Sequence, residues 1–216
     1  LVCSSIRDFR VCKYIATKTA DENHPDNDRK WTDLHTAVYY GKFETCRLIF
    51  ENVANKNPRD HSGETPLHQA LENSYFDTCS LNISNVDDKN PKYRNDLGAV
   101  TGRNGTPFHK AAGLGIEICK LFIDNLINKN PCDNNGNTPL YMAARSGHLE
   151  VCTQLMENLH DNNPKNYNGW TPLHSAAWAG HLDVCELLIK NLKNKNPKDD
   201  EDYTPLHIAA SGGHLK

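Results

Sequence analysis

Apolar residues recur along this chain in two alternating signatures. Cys185, Leu188, Ile189 and Leu192 stand at i, i+3, i+4 and i+7, a spacing that places them on one stripe of a helix. Cys46, Ile49, Phe50 and Val53 repeat it, as do Cys119, Phe122, Ile123 and Leu126. The second signature is shorter: Leu173, Ala176 and Ala177, or Leu140, Ala143 and Ala144, each set following a Thr-Pro pair. Thr caps the first free amides of a helix, and Pro at the next position loses nothing because its missing N–H would be unpaired there. A glycine, Gly147 or Gly180, suits the end of that helix. The pattern therefore predicts pairs of short helices that approach closely over small alanines. Polar runs such as Asp133-Asn134-Asn135-Gly136 predict β-turns between the pairs, since Asx and Gly tolerate positive φ.

The pairs repeat. Thr65-Pro66-Leu67-His68 recurs as Thr171-Pro172-Leu173-His174 and Thr204-Pro205-Leu206-His207, with near-copies at Thr32, Thr106 and Thr138. These threonines are separated by 33, 41, 32, 33 and 33 residues. Cys12, Cys46, Cys79, Cys119, Cys152 and Cys185 keep the same period, and so do Pro25, Pro58, Pro131, Pro164 and Pro197. Pro91 lies further upstream of its threonine, so the long step is one ordinary period with an insertion around Asn95–Gly102. A period of this length with a Thr-Pro-Leu-His-x-Ala-Ala motif resembles the ankyrin repeat family.

The resemblance covers essentially the whole chain. It implies an all-α repeat solenoid of stacked helix-turn-helix units with β-turn or hairpin fingers. Residues 1–216 are then a single array: 1–31 a partial unit and finger with a second helix around Phe9 to Thr17, full units at 32–64, 65–105 (carrying the finger insertion), 106–137, 138–170 and 171–203, and a partial unit at 204–216. Both ends cut through a unit, so further repeats are expected on either side. One departure stands out. Where the family usually has Gly after the second helix, this chain has Val53, Val86, Leu126, Leu159 and Leu192, which predicts a second helix about one turn longer.

Composition narrows the function classes. No apolar run approaches the roughly 18 residues of a membrane helix, and no signal-peptide pattern opens the chain. The net charge of −3 argues against a general nucleic-acid binder. A hydrophobic content of 38% is low for one globular core but suffices for stacked thin layers, each burying one stripe per helix.

Eight cysteines and eleven histidines raise the question of metal or thiol chemistry. Six of the cysteines share one slot on the apolar stripe, where free Cys behaves as a small hydrophobe. No C-x-x-C or H-x-x-x-H pair offers zinc-ligand spacing. Cys3 and Cys132 fall outside the stripe and are expected to be oxidisable rather than catalytic. His35, His68, His109, His174 and His207 share the last motif position; in the family this side chain bonds backbone between units. His148, His181 and His214, each after a glycine, are expected to do similar work at turns. No catalytic residue, metal ligand or cofactor is predicted, and Asp199-Asp200-Glu201-Asp202 is read as a solvated fingertip.

What varies between units is the surface. In the family, partners meet the concave face formed by fingertips and the outer side of the first helices. Trp31, Tyr39, Tyr40, Met142, Arg145, Trp170, Trp178 and Tyr203 occupy those slots, and Trp, Tyr and Arg dominate binding hot spots. Trp31, Trp170 and Tyr203 can equally shield the adjacent finger; Trp178 is harder to explain that way. The insertion is either a docking loop or an inert one. The expectation is a non-enzymatic, monomeric interaction scaffold in the cytoplasm that binds a protein partner, neither nucleic acid nor membrane. The alternative is the targeting or regulatory arm of a larger enzyme or channel.

Overall fold

A computed structural model describes residues 30–92 and 105–214. The insertion, the expected helix around Phe9 to Thr17, Cys3 and Cys12 lie outside these residues. Among the described residues there are eleven helices and no strand, an all-α repeat solenoid. The chain divides into two compact units, 1–103 and 104–216.

The described residues of the first unit form two helix pairs: α1 (Asp33–Tyr39) with α2 (Phe43–Asn52), and α3 (Pro66–Glu72) with α4 (Phe76–Asn85). α1 packs on α3 and α2 on α4, so like stacks on like. The second unit contains α5 (Pro107–Ala112) with α6 (Ile116–Asn125), α7 (Pro139–Ser146) with α8 (Leu149–Glu157), α9 (Pro172–Ala179) with α10 (Leu182–Asn191), and then α11 (Pro205–Ser211). Here α5, α7, α9 and α11 form one layer and α6, α8 and α10 the other. Most of the predicted stripe is buried, and Leu140, Ala143, Ala144, Cys152 and Leu155 have no exposure at all; in α10, however, Leu188 is buried while Cys185 is half-buried and Ile189 is exposed.

The first helices start as the Thr-Pro pattern requires, and His completes the cap. In α1, α3, α5, α9 and α11 the backbone N–H of the capping Thr donates to Nδ1 of the motif His at 3.1–3.3 Å. This is a reciprocal capping box with His in the place usually held by Glu or Gln. Tyr141 occupies that position in α7 and cannot return the bond; only the Thr138 hydroxyl caps there, accepting from the Tyr141 amide at 3.3 Å.

Gly147 and Gly180 end α7 and α9 in the left-handed conformation at φ 74° and 75°. A side chain is excluded there for a second reason as well. A Cβ at either would fall 2.6–2.7 Å from the ring of His181 or His214 in the following repeat.

The second helices do not run longer as expected. Val53, Val86, Leu126 and Leu192 are C-caps in extended conformation. The residue before each cap is Asn, and Asn52, Asn85, Asn125 and Asn191 each bond the carbonyl four residues back at 2.7–2.8 Å. The last turn closes on itself, and the extended residue then turns its apolar side chain inward; Val53, Val86 and Leu192 are buried.

Candidate functional site

The fingers are built by one repeated device. Asp60, Asp133, Asn166 and Asp199 open the turns, and the Oδ1 of each accepts two amides, from the residues two and four positions on, at 2.8–3.0 Å. Gly63, Gly136 and Gly169 hold positive φ in three of these turns, and Asp202 takes it at 65° in the fourth. The fourth finger is thus not simply a solvated acidic turn. Asp199 is only 9% exposed and is the residue that folds it; Asp200, Glu201 and Asp202 are exposed. The shared phase of Asp60, Asp133, Asn166 and Asp199 in the sequence is the signal that separates the structural acid from its neighbours.

Hydrogen bonds tie finger to helix and rung to rung. His35 Nε2 lies 3.1 Å from the Glu64 carbonyl, His109 Nε2 2.9 Å from that of Asn137, and His174 Nε2 3.2 Å from that of Tyr203. Because Nδ1 accepts the Thr amide, the ring proton sits on Nε2, which donates to these carbonyls. His148, His181 and His214 reach the carbonyls of Gly113, Arg145 and Trp178 at 2.9–3.1 Å. Their partners lie 35 or 36 residues away, so they join rungs as well as shape turns. Arg59 and Lys165 donate across rungs to the carbonyls of Lys92 and Lys198, each 33 residues on.

The sequence-predicted surface residues fall into two sets, one on each unit. On the first, the Trp31 ring lies 5.0 Å from that of Tyr39, which meets Tyr40 edge-on at 5.2 Å; both tyrosines are exposed. On the second, Trp178 stands 49% exposed, with the Arg145 guanidinium 5.4 Å from its ring centroid, a cation–π distance. Met142 is half-buried. Trp170 is half-buried too, stacked on His174 at 6.1 Å, and its Nε1–H donates to Asp199 Oδ2 at 3.1 Å. It therefore both shields the finger and shows a ring face. Tyr203 is exposed and lies edge-on to His207 at 6.0 Å. Trp170, Tyr203, Ile208 and the fingertip acids line a groove of about 610 Å³ between the fingers and α11.

The cysteine slot is interior. Cys46, Cys79, Cys119 and Cys152 are buried, and burial pushes each thiol up to about 12. Cys185, half-buried, is raised for the same reason. A thiol at that value is almost wholly protonated at neutral pH and a poor nucleophile. Cys132 is exposed. Titration of the native protein with a thiol reagent is expected to modify Cys132 rapidly and Cys119 or Cys152 only on unfolding; rapid labelling of either of the latter would overturn their placement in the core. Among the described residues no group of three or more His, Cys, Asp or Glu is placed to hold a metal ion. Asn82 opens an Asn-Ile-Ser glycosylation sequon, but it is buried and bonds the Thr78 carbonyl at 2.7 Å, so the sequon is closed.

These capped helix pairs, Asx-folded fingers and rung-to-rung bonds are what a repeat array requires. A family model described as ankyrin repeats in three copies matches residues 1–92, 81–166 and 158–216. The chain belongs to the ankyrin repeat family. Ankyrin repeats generally mediate protein–protein interaction, and the ankyrin fold is a non-enzymatic interaction module. No curated protein matches the chain. Among solved structures 507 chains match. One of them is the crystal structure of the ankyrin repeat domain of Bcl-3, described as a unique member of the IkappaB protein family. It aligns over 93% of this chain and 86% of that one with a TM-score of 0.72 and 24% identity, a likeness of fold. Among the described residues no helix is long and apolar enough to cross a membrane.

Proposed function

We propose that this ankyrin array is a non-enzymatic scaffold that recognises a protein partner through its fingers and the outer side of its first helices. The anchors are Met142, Arg145, Trp170, Trp178 and Tyr203 on the second unit, with Trp31, Tyr39 and Tyr40 a separate aromatic set on the first. The observation that carries this reading is Trp178. It occupies a first-helix position, yet half of its surface meets solvent and an exposed arginine is stacked on it. The solvent-facing half of this indole supports no part of the core; against a partner it supplies stiff apolar area, as hot-spot residues do. A standard interface of about 800 Å² per partner fits within a few adjacent repeats. The buried free thiols support a reducing, cytoplasmic setting, with the chain acting as a monomer.

Affinity capture from native lysate tests the assignment, with the wild type beside the Trp170→Ala/Trp178→Ala double variant. The variant is expected to lose the partners held by the wild type while keeping its helical circular-dichroism spectrum. Retention of every partner would remove these two residues as anchors.

A further inference from the structure

The groove between the fingers and α11 carries a chemical preference. Its lining includes Trp170, Tyr203, His207 and Ile208 together with the acids Asp199, Asp200 and Glu201. These acids do not play one role. Asp199 spends both oxygens internally: Oδ1 on the amides of Glu201 and Tyr203, Oδ2 on the indole N–H of Trp170. That last bond uses the only polar group of Trp170, so what the residue offers to the groove is its ring face. Asp200 and Glu201, by contrast, are exposed and have no ion-pair partner among the described residues. The next acid, Asp202, is neutralised by Lys198 at 3.0 Å, and Lys165 of the preceding finger is committed to the Lys198 carbonyl. The groove therefore presents two aromatic rings and two uncompensated carboxylates in one lining, with no Lys or Arg among them.

Aromatic faces and carboxylates both attract a cation. A guanidinium suits this combination better than an ammonium: it is planar, weakly hydrated, stacks on rings and bonds carboxylates with two parallel N–H groups. The second unit already shows this preference internally, with Arg145 lying over Trp178. That arginine occupies the Trp178 ring and adds positive charge there, which leaves the Trp170–Tyr203 groove as the place for an incoming cation. We propose that this groove receives an arginine side chain from a basic segment of the partner protein. The assignment rests on the reading of the finger and first-helix face as the interface, and adds to it the chemistry of the partner.

The test is fluorescence anisotropy of the full chain with a short labelled peptide of Ser, Ala and Gly carrying a central Arg-Arg pair. Matched peptides carry Lys-Lys, citrulline-citrulline and Glu-Glu. The arginine peptide is expected to bind with an affinity that falls as salt rises, the lysine peptide several-fold more weakly, and the other two not at all. The exposed pair Asp200→Asn/Glu201→Gln leaves the turn-forming Asp199 in place and is expected to weaken arginine binding by about tenfold or more, as is Tyr203→Ala. Trp178→Ala is expected to leave it unchanged. Equal binding of the lysine or citrulline peptide, indifference to the Asp200/Glu201 pair, or no binding of the arginine peptide would each overturn the assignment. If peptide binding fails while lysate capture still depends on Trp170 and Trp178, the arginine site falls and the interface stands. If capture is also indifferent to them, the interface reading falls too.

Discussion

Phe122→Ala is expected to cost the second unit about 3–5 kcal/mol, the usual range for removing a fully buried aromatic side chain. Phe122 has no exposure and its ring is stacked on Phe108 at 5.5 Å with the planes 13° apart. It thus joins α6 to α5, while α6 also packs on α8. A repeat layer is thin, so no second shell of core residues lies behind Phe122 to close the space its ring would leave. Neighbouring repeats depend on each other's interfaces, and the loss spreads along the stack. Urea unfolding followed by the fluorescence of Trp170 and Trp178 measures it. Ile127, fully exposed just beyond α6, is the control: Ile127→Ala is expected to change stability by less than about 0.5 kcal/mol. A cost for Phe122→Ala below about 1.5 kcal/mol would mean that the layer repacks freely, contrary to its close packing.

Acid is expected to be the second strong perturbation. Burial lowers His35 and His174 below the ordinary value of 6.5, outweighing the raising influence of their carbonyl partners Glu64 and Tyr203 and of Asp60 and Asp199. Both rings are therefore held neutral in the folded chain and protonate more readily in the unfolded one. With a lowered folded-state value, the stabilisation is full above about pH 6.5 and is lost progressively as pH falls below that. The geometry accounts for the sign. Nδ1 accepts the Thr amide at 3.3 Å in His35 and 3.2 Å in His174; a proton on Nδ1 would set two donors against each other and break the cap. Thermal melts from pH 8 to pH 5 are expected to show the midpoint falling by several degrees below about pH 6.5, with the slope reduced in His174→Gln. A midpoint that is flat or rises across that window would rule out neutral, capping histidines.

Much of the fold was legible because its determinants are local. A cap needs Thr beside Pro, a helix terminus needs Gly at Gly147 and Gly180, and an apolar stripe needs four residues at helical spacing. Each is complete within one repeat, and repetition made each visible several times over. The cysteines were legible for the same reason: their phase placed them on the stripe, and the structure buries four of the five described there. The error about the second helix arose where two local signals competed. An apolar residue in the Gly slot looked like one more helical contact, but the Asn before it bonds back to its own helix and ends the turn.

The candidate site was legible only as a set of surface slots. That Trp170 is bound by Asp199, that Arg145 lies over Trp178, and that Asp200 and Glu201 remain uncompensated while Asp202 does not, all depend on which side chains reach one another. The rung-to-rung bonds of His148, His181 and His214 belong to the same class, with partners a full repeat away.

By itself, then, the sequence determined the repeat, its caps, its turn residues and the interior place of the cysteine slot, because each depends on neighbours within about one helical turn or one hairpin. Only the tertiary structure decided which acids are spent, which rings are covered and which histidines bridge repeats. Those outcomes depend on the close approach of residues that stand about 30 positions apart along the chain, a distance that only stacking closes.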